Sequence, residues 1–244
     1  MTNVRSDNPR VVTATPSGLR HSAVRLGRRL LGWPVDGDYR VLAHLDPSPG
    51  QVLVDAGAFC GDGVEAMRLY HPETPILAFE PNPRRALMLA ERFSADDNLA
   101  IYRCGLSETE GEAVLAAPVR ARRLSDREAS LDARRVEHWK AVRWQEVKVF
   151  PLDDLALDVS VLKVSVNGSE HAVLAGARET LQRCEPLVIC AREPAADAFL
   201  TGGLGWMRAR FDGTRLVPGE TGARHGIYAG PTCEAALWRA GLLA

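Results

Sequence analysis

Residues 52–63 read VLVDAGAFCGDG: apolar residues fit for a buried strand, a carboxylate at Asp55, then Gly57, Gly61 and Gly63. Glycines on a strand-to-helix turn permit positive φ and let backbone N–H groups approach a ligand without Cβ interference. A purely structural tight turn uses glycine equally well, so spacing has to discriminate. The order here is GxxxGxG, not the GxGxxG of a dinucleotide site. Phe59 stands where that fingerprint has glycine and would crowd a pyrophosphate. No GK[ST] follows to hold a triphosphate. An acid ahead of the turn is a poor neighbour for phosphate and a good one for a ligand bearing ammonium and sulfonium charge.

A second acid falls at Glu80 in LAFEPNP, 19 residues beyond Gly61 and at the end of the second predicted strand. A carboxylate there accepts hydrogen bonds from both ribose hydroxyls of an adenosine moiety; the competing role is to cap the helix predicted from Pro83. S-adenosylmethionine, cationic and adenosine-bearing, satisfies both marks. Further along, Asn167, Glu170 and His171 lie near the carboxyl end of the fourth core strand. The His171 imidazole, or Glu170, could take the proton of a hydroxyl acceptor. Asn167 followed three residues later by Glu170 is also a capping-box pattern that would make both structural, and His171 would then be an exposed helix residue. Asp153 and Asp154 either face an acceptor or cap a short turn.

Elements must hold these residues in register. QVLVDAG, PILAFEP, LAIYRCGL, VLKVSV and PLVICA read as strands, and helices are predicted from the glycine turn to about Tyr70, over 83–93 and over 169–183. Apolar strands alternating with amphipathic helices predict an α/β fold, a mostly parallel sheet covered on both faces. WMRARF and TRLVP, joined at Asp212 and Gly213, predict a hairpin, and GIYAG another strand, giving an antiparallel C-terminal edge. Residues 1–45 form an N-terminal unit: a polar tail to residue 17, then an amphipathic helix over 19–31 carrying Arg25, Arg28 and Arg29. That helix packs on the sheet or covers the ligand; lying on an anionic membrane is the alternative. Residues 46–244 make one domain. An insertion at about 111–146, with a helix predicted over 125–142, interrupts the rhythm and either shapes an acceptor pocket or is a solvated helix.

The chain has 244 residues, 46% of them hydrophobic, enough for one sizeable core. With 30 basic and 31 acidic residues there is no broad positive field for nucleic acid. Cys60, Cys104, Cys184, Cys190 and Cys233 are scattered, without metal-ligand spacing. The absence of an apolar span or secretory core predicts a cytoplasmic protein whose partner is a small molecule, with neither nucleic acid nor membrane. Nothing in the sequence addresses oligomeric state.

VDAGAFCGD, AFEPNP, FPLDDL, LKVSVNGSEHAVLAGA and EPLVICA together resemble the FkbM-type methyltransferase family, in that family's order, over roughly residues 50–192. The resemblance implies a Rossmann-like class I methyltransferase fold, S-adenosylmethionine as donor, and O-methylation of a small molecule such as a sugar or polyketide-like natural product. It places Asp55, Gly57, Ala58, Phe59, Gly61 and Asp62 at the cofactor turn, Glu80, Pro81 and Asn82 around the ribose, Cys104, Gly105 and Leu106 near the adenine, and Ser165 at the end of the fourth strand. The family usually writes that strand Lys-Ile-Asp-Val-Glu-Gly-x-Glu and often ends its fifth in Glu. Here Ser165, Asn167 and Ala191 stand in place of acids. Their loss predicts no metal site and metal-independent transfer, or else a cofactor-binding protein that no longer transfers methyl groups and acts as a partner or regulator.

Overall fold

The computed structural model describes residues 37–243 apart from 121, 122, 125 and 223. The predicted tail and the amphipathic helix over 19–31 lie outside the described residues. Chain order begins β1 (Val52–Ala56), α1 (Asp62–Tyr70), β2 (Ile76–Phe79), α2 (Pro83–Arg92), β3 (Leu99–Tyr102). A short β4 (Gly105–Leu106) leads into β5 (Gly111–Arg120), β6 (Arg123–Leu124) and β7 (Val142–Phe150). The core resumes with β8 (Val159–Val164), α3 (Glu170–Ala175), α4 (Arg178–Cys184), β9 (Leu187–Ala191) and α5 (Pro194–Ala198). It closes with β10 (Met207–Phe211), β11 (Leu216–Pro218), β12 (His225–Ala229) and α6 (Pro231–Arg239).

Eight strands form the main sheet in the order β11-β10-β12-β9-β8-β1-β2-β3. β3, β2, β1, β8 and β9 run parallel, and β12 pairs antiparallel with both β9 and β10. The C-terminal strands β12, β10 and β11 thus form the expected antiparallel edge, each reversing direction against its neighbour. Strand order reverses between β1 and β8, and the crevice outside the carboxyl ends at such a switch point is where an open α/β sheet holds its ligand.

Alternation decides the two cores. Val52, Val54 and Ala56 of β1 enter the core that also holds Leu77, Leu162, Val164, Val173 and Leu181. Leu53 faces the other way, with Val64, Met67 and Leu89. On the first of these faces Phe79 stacks on Tyr102 at 4.8 Å and meets Phe150 edge-on at 5.8 Å, so β7 of the insertion is anchored into the main core. On the other face a 3-10 helix, Gly37–His44, buries Tyr39, Val41 and Leu42.

Three expectations change. LAIYRCGL is divided between β3 in the main sheet and β4 in a second sheet, β4-β7-β5-β6. The helix predicted over 169–183 breaks into α3 and α4 at Gly176, where an added Cβ would overlap the Ser107 carbonyl oxygen. No α-helix forms over 126–139. β5 and β7 pair instead as a long hairpin, from Gly111 opposite Val149 to Pro118 opposite Val142, and two 3-10 turns occupy Asp126–Glu128 and Ala133–Arg135. Ser130 exchanges backbone hydrogen bonds with Ala116, and the Asp132 side chain accepts from the Arg134 N–H. Such local bonds compete with a helical ladder.

Gly176→Ala should lower stability by about 1–3 kcal/mol, since the clash is with backbone that cannot rotate away. Gly111→Ala, where nothing lies within 4 Å of the added Cβ, should stay within about 0.5 kcal/mol. Urea denaturation of the two variants checks the contrast.

Candidate active site

The glycine turn joins β1 to α1. Gly57 and Gly61 adopt positive φ, and so does Phe59 at 47°. A Cβ on Gly57 would strike the Ser165 carbonyl, and one on Gly63 would strike the Asp55 carboxylate, so β8 and α1 can close on the turn only because those positions are bare. Four of the turn's own donors are occupied. Gly57 and Ala58 N–H both donate to the Phe79 carbonyl, Gly61 N–H to that of Ala58, and Phe59 N–H to Glu80. Free N–H groups at these four positions are therefore absent. From α2, Arg92 donates to the Cys60 carbonyl and pairs with Glu65 at 2.5 Å. Burial, reinforced by Asp62, pushes the Cys60 thiol up.

Asp55 is fully buried beneath the turn. The Lys163 ammonium lies 2.7 Å from its Oδ1 and also donates to the Gly57 carbonyl at 2.8 Å. The two residues are register partners on β1 and β8. Oδ2 has no hydrogen-bond partner among the described residues and rests against Gly63. Asp55 thus pairs with Lys163 through one oxygen while the other is left without a partner among the described residues. Lys163 was not among the predicted site residues, although a lone lysine in an otherwise apolar strand signals a buried counter-charge.

Glu80 is 6% exposed at the end of β2. Its Oε2 accepts from Phe59 N–H and its Oε1 from Asn82 N–H, both at 2.8 Å. The helix cap contemplated for Glu80 belongs to Asn82, whose Oδ1 accepts from the N–H groups of Arg84 and Arg85. Burial pushes the Glu80 carboxyl up to about 7; the two backbone N–H bonds and Lys163 oppose the rise, and Asp55 adds to it. Gly105 lies against Val149, Leu131 and Pro81. Cys104 and Leu106 are buried in the core cluster that also holds Phe79 and Phe150.

On β8's far side the predicted capping box does not form. Ser169 is the N-cap of α3. Glu170, 2% exposed, accepts from the N–H groups of Val166 and Gly168, so it clamps its own loop. Asn167 takes a left-handed φ of 58° and donates to the carbonyls of Arg127 and Ala129. His171 is exposed and meets Phe199 edge-on at 5.5 Å. Glu193, two residues beyond Ala191, caps α5, and Asp153 accepts from the N–H groups of Glu179 and Thr180 at the start of α4. Asp62 opens α1 in the exposed first turn, and Ser165 is half-buried with its N–H on the Ala56 carbonyl.

The Methyltransferase FkbM domain family matches residues 55–204. A curated relative, the 2-O-methyltransferase NoeI of Sinorhizobium fredii (strain NBRC 101917 / NGR234), is 25% identical over 170 residues, 59% of this chain and 65% of that protein. The chain thus spans slightly under two thirds of that relative. The crystal structure of a methyltransferase FkbM from Methylobacillus flagellatus KT aligns with a TM-score of 0.51 at 16% identity, covering 76% of this chain and 44% of that one. Strand order and this likeness make the fold the Rossmann-like α/β methyltransferase fold. Among the described residues no helix is long and apolar enough to cross a membrane.

Lys163→Met should destabilise the protein by about 3–5 kcal/mol, because it leaves a buried carboxylate without its cation. Adding Asp55→Asn should restore about half of that or more, since the remaining cost is that of a neutral amide. Chemical denaturation of both variants measures the difference.

Proposed function

We propose, from the premise that this chain belongs to the FkbM methyltransferase family, that it transfers a methyl group from S-adenosylmethionine to a hydroxyl of a small molecule such as a sugar or polyketide-like compound. Glu80 carries the donor assignment. Each of its oxygens accepts one backbone N–H and keeps a further lone pair, so the ionised carboxylate can take two hydroxyl hydrogens at once, as a ribose diol requires. The occupied donors at 57, 58, 59 and 61 speak against a pyrophosphate and hence against a nicotinamide dinucleotide. Gly57, Ala58, Phe59, Gly61 and Asp62 would flank the amino-acid end of the donor, and Pro81, Asn82 and the backbone at Gly105 its base.

When bound, S-adenosylmethionine supplies an electrophilic methyl group on a sulfonium sulfur. The chain's part is to hold an acceptor oxygen close and aligned in a water-poor cleft. Of the two candidate bases, Glu170 is 2% exposed and clamps its own loop, whereas His171 is exposed and is the one placed to take the hydroxyl proton. The relative's name, a 2-O-methyltransferase, supports oxygen as the atom methylated.

Calorimetry with S-adenosylmethionine and NAD tests the donor, and pH sharpens the test. The free Glu80 carboxyl titrates at about 7, and hydroxyl donors favour its ionised form, so binding must release a proton below that pH. Affinity for S-adenosylmethionine should fall as pH drops from 8 to 6, by up to about tenfold per unit below 7. Glu80→Gln should bind at least about tenfold more weakly and without that dependence. Binding of NAD in place of S-adenosylmethionine would overturn the assignment.

Transfer is expected to be metal-independent. Asp153, Glu170 and Glu193 each hold two backbone N–H groups, and Asp55 holds Lys163. A hard cation needs clustered carboxylates that remain free to turn toward it. Turnover of the natural acceptor in excess chelator should be undiminished; loss of activity that magnesium restores would refute this.

A further inference from the structure

Residues 126–139 lie across the carboxyl ends of the core strands at three places. The Arg127 guanidinium sits over the Phe59 ring at 5.5 Å, and that of Arg85 at 4.6 Å. Leu131 packs on Gly105, and the Arg135 side chain packs on Gly168, where an added Cβ would lie 3.1 Å from it. The segment therefore touches the turn after β1, the turn after β3 and the turn after β8, the three places that border the switch-point crevice.

One residue gathers the polar bonds that hold it there. Asn167 donates through Nδ2 to the carbonyls of Arg127 and Ala129, both at 2.9 Å, and its own carbonyl accepts from Ser130 Oγ at 2.6 Å. Ser130, 1% exposed, is in turn fixed by the Asp132 N–H and by its two-way backbone pairing with Ala116. Two converging carbonyl oxygens require a side chain with two N–H donors. A carboxylate of the same length would meet them with negative charge and no hydrogen. The backbone narrows the choice further, because asparagine is among the few residues that adopt a φ of 58° at little cost.

We propose that Asn167 is a latch: its amide pins residues 126–139 over the cofactor turn, and cofactor entry and exit require these bonds to open. Asn167 is a positioning residue here, since its bonds go to the covering segment. The gating half rests on the S-adenosylmethionine reading above, while the latch itself does not.

Two substitutions remove the donors and keep the left-handed backbone, Asn167→Asp and Asn167→Gly. In the full chain without ligand, amide hydrogen exchange over 126–139 should accelerate about tenfold or more in both, with β1, β2 and β8 unchanged. The dissociation rate of S-adenosylmethionine, followed by stopped flow, should rise by a similar factor in both. Unchanged exchange in 126–139, or acceleration spread equally over β1 and β8, overturns the latch; the second result would mark a merely structural residue. Faster exchange with an unaltered dissociation rate overturns the gating. Failure of the wild-type chain to bind S-adenosylmethionine overturns the donor reading and the gating together, and the exchange experiment still decides the latch.

Discussion

The buried pair of Asp55 and Lys163 is the constraint around which the crevice is organised. It joins β1 to β8, the two strands between which strand order reverses, and its ammonium also holds the Gly57 carbonyl. The first residue of the glycine turn is thereby tied to the fourth core strand before any ligand is considered. Close packing follows from that tie: Gly57 lies under the Ser165 carbonyl, and Gly63 under Asp55. A charge pair in a dry core gives little net stability against apolar residues of the same shape. What it contributes at this place is register and the direction of the turn.

The pair has a smaller part in the charge of its neighbour. Burial chiefly raises the Glu80 carboxyl, and Lys163 and Asp55 act on it in opposite senses. Glu80 in turn fixes the turn after β1 through Phe59 and the start of α2 through Asn82. The same device recurs around the crevice. Glu170, Glu193 and Asp153 each receive two backbone N–H groups at the loops that follow β8, β9 and β7. Acids that look catalytic in the sequence are clamps, Glu80 among them, and what sets Glu80 apart is its place at the end of β2 beside the glycine turn.

The insertion completes this rim from outside the main sheet. β7 reaches the core through Phe150, packed on Phe79, and β5 returns along it through a long antiparallel register. Because that hairpin is anchored at its base, residues 126–139 are carried back over the strand ends rather than into solvent. Arg127 and Arg85 both lie over the Phe59 ring, so the side chain of the glycine turn is itself in contact with the covering segment.

The sequence by itself determined the alternation of β1, α1, β2, α2 and β3, the strands β8 and β9, the C-terminal hairpin and the two marks at 55–63 and Glu80, because burial periodicity and glycine spacing are local properties. Tertiary structure decided the rest. Val147 and Val149 alternate in burial with Glu146 and Lys148 as a strand should, and the helix expected over 125–142 gives way to turns because Ser130 pairs with Ala116 and Asp132 with the Arg134 N–H. The break at Gly176 depends on Ser107, far away in the chain. Whether Asp55 meets a ligand or Lys163, whether Glu170 is a base or a clamp, and whether Asn167 caps a helix or holds the insertion all turn on which N–H, carbonyl or ammonium group the fold brings within 3 Å. A buried polar side chain must take the partner that the packing supplies, and no spacing rule within one segment contains the position of another.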